Sequence, residues 1–152
     1  MNKFLAVAVL LLAVSAKAQT PTTESWTNLS NGRCQSSIRP PSYFCSVTVQ
    51  EPSPDGSLQT STLTIYVTLQ PDGTFTNGQI SKSDLYGNAP TFNATNWTGV
   101  NLSGTFSGTN PDGSTFSGTA TEVLGPVKYC AGKYGCHYMT GVVSGNGSIT
   151  IQ

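Results

Sequence analysis

The sequence predicts one all-β domain, a single antiparallel meander of about eight strands closed as a barrel or folded as a β-sandwich, behind a short N-terminal leader. Three observations carry that expectation. Apolar and hydroxyl residues alternate with a period of two in Cys45-Ser46-Val47-Thr48-Val49-Gln50 and in Thr62-Leu63-Thr64-Ile65-Tyr66-Val67-Thr68-Leu69. That period puts one kind of side chain on each face of a pleated strand. A turn signal recurs as Pro54-Asp55-Gly56-Ser57, Pro71-Asp72-Gly73-Thr74 and Pro111-Asp112-Gly113-Ser114. In each, proline presets the first turn dihedral, the aspartate accepts a local backbone N–H, and glycine takes the positive φ that ends a type I turn with a bulge. Beyond the leader no window carries a 3.6-residue apolar stripe, so no long helix is expected.

Residues 1–18 follow the secretory pattern, with Lys3 as the positive segment, an apolar run over 4–14, and Ala16-Lys17-Ala18 as a small-x-small cleavage site before Gln19. The run is shorter than the roughly 20 residues a membrane-crossing helix needs. Residues 19–152 are therefore expected to form a secreted or periplasmic domain with no integral membrane insertion. Strands are expected over 25–29, 43–50, 57–70, 74–81, 91–97, 100–109, 114–124, 138–144 and 148–151, the last two joined by a turn at Asn146-Gly147. Short connections make sequential neighbours pair. Val100, Leu102, Gly104, Phe106 and Gly108 fall on one face, opposite Phe116, Gly118 and Ala120. Small residues beside large ones suit a curved sheet, which inclines the choice toward a barrel. A transmembrane barrel would need an aliphatic outward face, and here the second face is serine and threonine.

Loss of the leader removes Lys3 and Lys17, leaving five Lys and Arg against seven Asp and Glu, a net charge of −2. Such a chain lacks the basic surface that neutralises phosphates, so nucleic acid is not an expected partner. Four cysteines, Cys34, Cys45, Cys130 and Cys136, in a chain bound for an oxidising compartment predict two disulfides. The local pairing Cys34–Cys45 and Cys130–Cys136 is favoured because it closes short loops, although a long-range pairing is also open.

The densest chemistry is Cys130-Ala131-Gly132-Lys133-Tyr134-Gly135-Cys136-His137. Two thiolates and an imidazole would begin a metal site, but a fourth ligand is not visible, and c-type haem attachment needs only two residues between the cysteines. No metal and no cofactor are expected. The bland alternative is a stapled hairpin; the functional one is a closed loop presenting Lys133 and Tyr134 to a partner. Catalysis is not expected: His137 is the sole histidine, no nucleophile or zinc motif occurs, and Glu24, Glu51, Asp84 and Glu122 show no telling spacing. Glu122 stands out because it lies in line with Phe116, Gly118 and Ala120 and so points inward. Trp97, with Trp26, Tyr66 and Tyr86, is flanked by polar residues in the manner of surface aromatics that stack on sugars or grip peptides, though core packing would explain the same pattern. Sequons at Asn28, Asn93, Asn96, Asn101 and Asn146 would matter only in a eukaryotic source. The sequence thus points to a non-catalytic β-domain that binds a macromolecule, carbohydrate or protein, or serves an envelope or surface structure. A small-ligand-binding β-barrel is the alternative, and a secreted hydrolase the third.

Overall fold

A computed structural model describes residues 20–38, 40–85 and 90–152. The expected leader over 1–18 and the aromatic Tyr86 lie outside these residues. Among those described there are nine strands: β1 (Thr22–Asn28), β2 (Gly32–Ile38), β3 (Pro41–Pro52), β4 (Leu58–Thr68), β5 (Thr74–Asp84), β6 (Pro90–Val100), β7 (Ser103–Thr109), β8 (Thr115–Cys130) and β9 (Cys136–Ile151), with a 3-10 turn at Gly132–Tyr134.

Every pairing is antiparallel, and the ladder runs from β3 through β4, β5, β6, β7, β8 and β9. Closure comes from β1 and β2, which share one position between β9 and β3. Near one end Glu24 of β1 pairs with Ile149 and Thr27 pairs with Gln50, while near the other Arg33 of β2 pairs with Gly141 and with Ser46. The result is an eight-stranded closed barrel with one further strand, which resolves the choice between barrel and sandwich. The ladders are uneven: β6 and β7 share three pairs, next to their connecting turn, and β2 and β9 share two.

All three Pro-Asp-Gly turns form as the sequence predicts. Gly56, Gly73 and Gly113 have φ of 83°, 82° and 89°. Asp55 accepts from the backbone N–H and hydroxyl of Ser57, Asp72 from those of Thr74, and Asp112 from those of Ser114. These hydrogen bonds to the charged form hold each carboxyl below the usual aspartate range. The aspartates are committed to turn chemistry.

Two local expectations are overturned. Asn146-Gly147 is not a turn: β9 runs unbroken through it, with Asn146 opposite Thr27 and Thr121. A Cβ at 147 would collide with the indole of Trp26, so this glycine makes room for a core aromatic instead of bending the chain. Conversely, 100–109 is not one strand. Asn101 and Leu102, with φ of 47° and 58°, form a tight turn between β6 and β7. Asn-Leu lacks the glycine that usually marks such a turn, so the run of alternating residues hid it. The strand over 32–38 was also missed, because beyond Cys34 its residues are exposed and carry little alternation.

The interior is filled by side chains. Phe92 stacks on Phe106 with centroids 5.0 Å apart, Trp26 lies 5.9 Å from Phe92, and Phe75 meets Trp97 edge-on at 4.7 Å. Val47, Val49, Leu63, Ile65, Val67 and Ile80 are among the aliphatic residues packed with them. Gly118 leaves the space that Phe106 occupies, as the pairing of small and large residues anticipates.

Candidate functional site

Alternate turns gather at opposite ends of the barrel. The β3–β4 and β7–β8 turns lie at one end, the lower, and the β2–β3, β4–β5, β6–β7 and β8–β9 turns at the other, the upper. Each end buries a glutamate.

At the lower end Lys82 of β5 is inward-facing and 0% exposed. Its ammonium is in direct contact with Glu51 and lies 3.1 Å from Glu24 Oε2. Glu51 also accepts from the Ser61 hydroxyl at 2.8 Å and the Gln59 amide at 3.1 Å. The strand registers assemble this group, since Glu51 pairs with Gln59 and Lys82 with Leu63. Both oxygens of Glu51 are thus engaged, the condition under which a buried charge pair is tolerated. Sequence reasoning named Glu24 and Glu51 but missed Lys82, and its only signal was a cation on an otherwise apolar-alternating strand, in line with Ile80.

At the upper end Glu122 of β8 is 1% exposed and points inward, as its alternation suggests. Asn28 of β1 donates to its Oε2 at 2.7 Å. Its Oε1 has no partner, and neither does Asn28 Oδ1. The buried indole N–H groups of Trp26 and Trp97 are also unpartnered, but they sit within the aromatic core. Burial pushes the Glu122 carboxyl up to about 7, only partly opposed by the Asn28 hydrogen bond. A Cβ at Gly145 would overlap the Glu122 carboxylate, so glycine there is what lets the side chain lie against β9. Glu122 lines a depression of about 380 Å³ together with Leu69, Leu102 and Leu124, rimmed by Asn101 and Thr121. Leu102 is held in a left-handed conformation that bulky residues rarely adopt, and its carbonyl accepts from the Glu122 N–H at 2.9 Å.

Leu124 also borders a second depression of about 450 Å³, walled by Tyr43 of β3 and by Pro126, Tyr138 and Thr140 of the β8–β9 hairpin. Its origin is topological. The ladder between β2 and β9 consists of the pairs at Gly32 and Arg33, so beyond them the two hairpins part. The disulfide Cys34–Cys45 ties one hairpin near its root and Cys130–Cys136 ties the other at its tip, which is the local pairing favoured from the sequence. Arg33 lies 3.9 Å from the centre of the Tyr129 ring, whose other contact is the edge of His137 at 5.3 Å. This stack braces the outer side of the longer hairpin.

The predicted binding residues separate. Lys133 and Tyr134 occupy the 3-10 turn at the hairpin tip, with Tyr134 81% exposed and the Lys133 ammonium 5.2 Å from its ring. Trp97 is 0% exposed and packs on Phe75, so it offers no stacking face. Trp26 is buried likewise, whereas Tyr66 is exposed opposite Phe44 on the outer wall. Among polar-flanked aromatics, then, burial tracked the barrel register and not the character of the neighbours. The sulfurs of Cys130 and Cys136 are bonded to each other, and among the described residues no cluster of three or more His, Cys, Asp or Glu could hold a metal. Asn28, one of the five sequons, is engaged inside the barrel. Comparison with protein-family models, curated proteins and solved structures finds no match. Among the described residues no helix is long and apolar enough to cross a membrane.

Proposed function

We propose that this is an exported, non-catalytic binding domain that holds part of a macromolecular partner across the upper end of its barrel. The observation that supports this best is the pair of depressions meeting at Leu124, one with tyrosine walls and one with a buried carboxyl at its edge. A few polar groups converging on an apolar concavity are the usual makings of a recognition site. The filled interior argues against the alternative of a carrier with a central cavity. Two disulfides favour a periplasmic or extracellular location. The outer wall carries hydroxyl pairs such as Thr23–Thr150 and Ser103–Thr121, where a bilayer-spanning barrel needs an aliphatic band.

Glycan and peptide arrays probed with the oxidised protein test this reading. Binding should fall at least tenfold when Tyr43 and Tyr138 are both replaced by alanine. A smaller loss is expected for the tip pair Lys133→Ala with Tyr134→Ala, whose stability should change by under about 0.5 kcal/mol because surface tips carry little packing. No captured glycan or peptide, or capture indifferent to Tyr43 and Tyr138, would remove the upper end from consideration.

A further inference from the structure

We infer that the depression beside Glu122 is a socket for a lysine side chain of a protein partner, its ammonium meeting the Glu122 carboxylate. The inference rests on the upper end being the binding end, and it names the chemistry that end selects.

The geometry has three parts. First, Glu122 Oε1 and Asn28 Oδ1 are buried acceptors with no donor, on two side chains already joined to each other. A buried acceptor left without a donor is costly, so a bound group that supplies donors gains more here than on open surface. Second, the charge is uncompensated. The ion pairs among the described residues, which join Lys82 to Glu24 and Glu51, lie at the lower end. Third, the approach is aliphatic, lined by Leu69, Leu102 and Leu124.

An ammonium carries three donors and no acceptor on a flexible four-carbon stem. It can serve the orphaned Glu122 oxygen without bringing in an acceptor that would itself need a donor, while its methylenes lie along the leucines that line the depression. Guanidinium would bring five donors in a rigid fork to a carboxylate with one oxygen already engaged by Asn28, and a hydroxyl would bring no charge. A metal ion is poorly served, since Glu122 is the one Asp, Glu, His or Cys lining the depression, and no group of three or more such residues that could hold a metal occurs among the described residues.

Binding should depend on pH through Glu122. The groups packed around it are Asn28 from β1, Asn101 and Leu102 from the β6–β7 turn, Gly145 from β9, Leu69 beyond β4, and Thr121 and Leu124 from its own strand. None of them titrates. The ionised form is the one that attracts an ammonium, so affinity should rise as pH increases through about 7, the value to which burial pushes this carboxyl.

The probe is Nα-acetyl-lysine N-methylamide, titrated into the oxidised protein and followed by the backbone amide NMR signals of residues 121–124 and 101–102. Its 6-hydroxynorleucine counterpart and glucosamine serve as comparisons. The expected result is saturable shifts for the lysine derivative, at least tenfold weaker binding for either comparison, and at least tenfold loss in Glu122→Gln with an otherwise unchanged spectrum. Wild-type affinity should also rise severalfold from pH 6 to pH 8, which tests the same contact without a variant. Equal binding of the hydroxyl analogue, tighter binding of glucosamine, no shifts at these residues, or a pH-independent affinity would each overturn the lysine socket. Loss of macromolecular capture in the Tyr43 and Tyr138 variant would stand regardless, so failure of the socket and failure of the binding end are separable.

Discussion

The two ends of this barrel each bury a glutamate and treat it in opposite ways. Glu51 receives a hydroxyl and an amide from the adjacent β4 and an ammonium from β5, one strand further on. Glu122, one of the residues lining a depression, receives one amide and keeps a buried oxygen without a donor. Removing charge from water is expensive in both places, but only at the lower end does the protein itself supply the compensating partners. A complete network of that kind fixes structure. An incomplete one at a concave surface leaves energy that a ligand can recover, which is why the upper end is the functional candidate.

The largest expected effect lies at the lower end. Lys82→Met should destabilise the fold by about 3–5 kcal/mol, because it leaves Glu51 and Glu24 without their cation. Chemical denaturation measures this, and a loss under about 1 kcal/mol would show that water already compensates those carboxylates. Next comes the upper end, with the opposite sign of charge effect. The folded state raises the Glu122 carboxyl from an ordinary 4.5 to about 7, so it binds that proton more tightly than the unfolded chain does. The associated stability is fully present below 4.5 and lost as pH rises through about 7, a decline of about 3 kcal/mol. Glu122→Gln should remove that decline while leaving the low-pH stability nearly unchanged. An identical pH profile in the variant would mean that Glu122 is better solvated than its position implies. The turn aspartates act in a separate window: their lowered values give stability that is present above 3.8 and lost as pH falls further.

The smallest effect compares turns at the two ends. Gly113 at the lower end has positive φ but open space where a Cβ would go, whereas a Cβ at Gly73 would strike the Asn101 side chain beside the Glu122 depression. Gly113→Ala should cost about 1 kcal/mol from backbone strain alone. Gly73→Ala should cost more and should also shift the NMR signals of Asn101 and Leu102. Equal losses with no shift at Asn101 would show that the two turns are independent.

Much of the scaffold was legible because it is locally determined. The Pro-Asp-Gly turns need only their own residues, and period-two alternation marked the central parts of β3 and β4. What failed was non-local. Asn146-Gly147 reads as a turn until Trp26 is seen to require that glycine, and Asn101-Leu102 reads as strand until β7 is seen folding back on β6. The site divides the same way. The inward direction of Glu122 follows from alternation within its strand. Its Asn28 partner lies 94 positions away, and the enclosure of Trp97 depends on where β5 and β6 meet. The hairpin tip with Lys133 and Tyr134 was found because two cysteines bracket it, whereas the cleft beside Tyr43 and Tyr138 arises from strands that diverge, which no local pattern records.

The contrast between a satisfied and an unsatisfied carboxyl can be read at a single atom. In protein carrying ¹³C at glutamate side chains, with Glu122→Gln used to assign the resonance, the Glu122 carboxyl carbon should titrate with a midpoint near 7, and the midpoint should fall on addition of the lysine derivative. A midpoint close to the ordinary 4.5 in the free protein would show that Glu122 is hydrated or otherwise partnered in solution, and the two ends would then not differ in the way proposed.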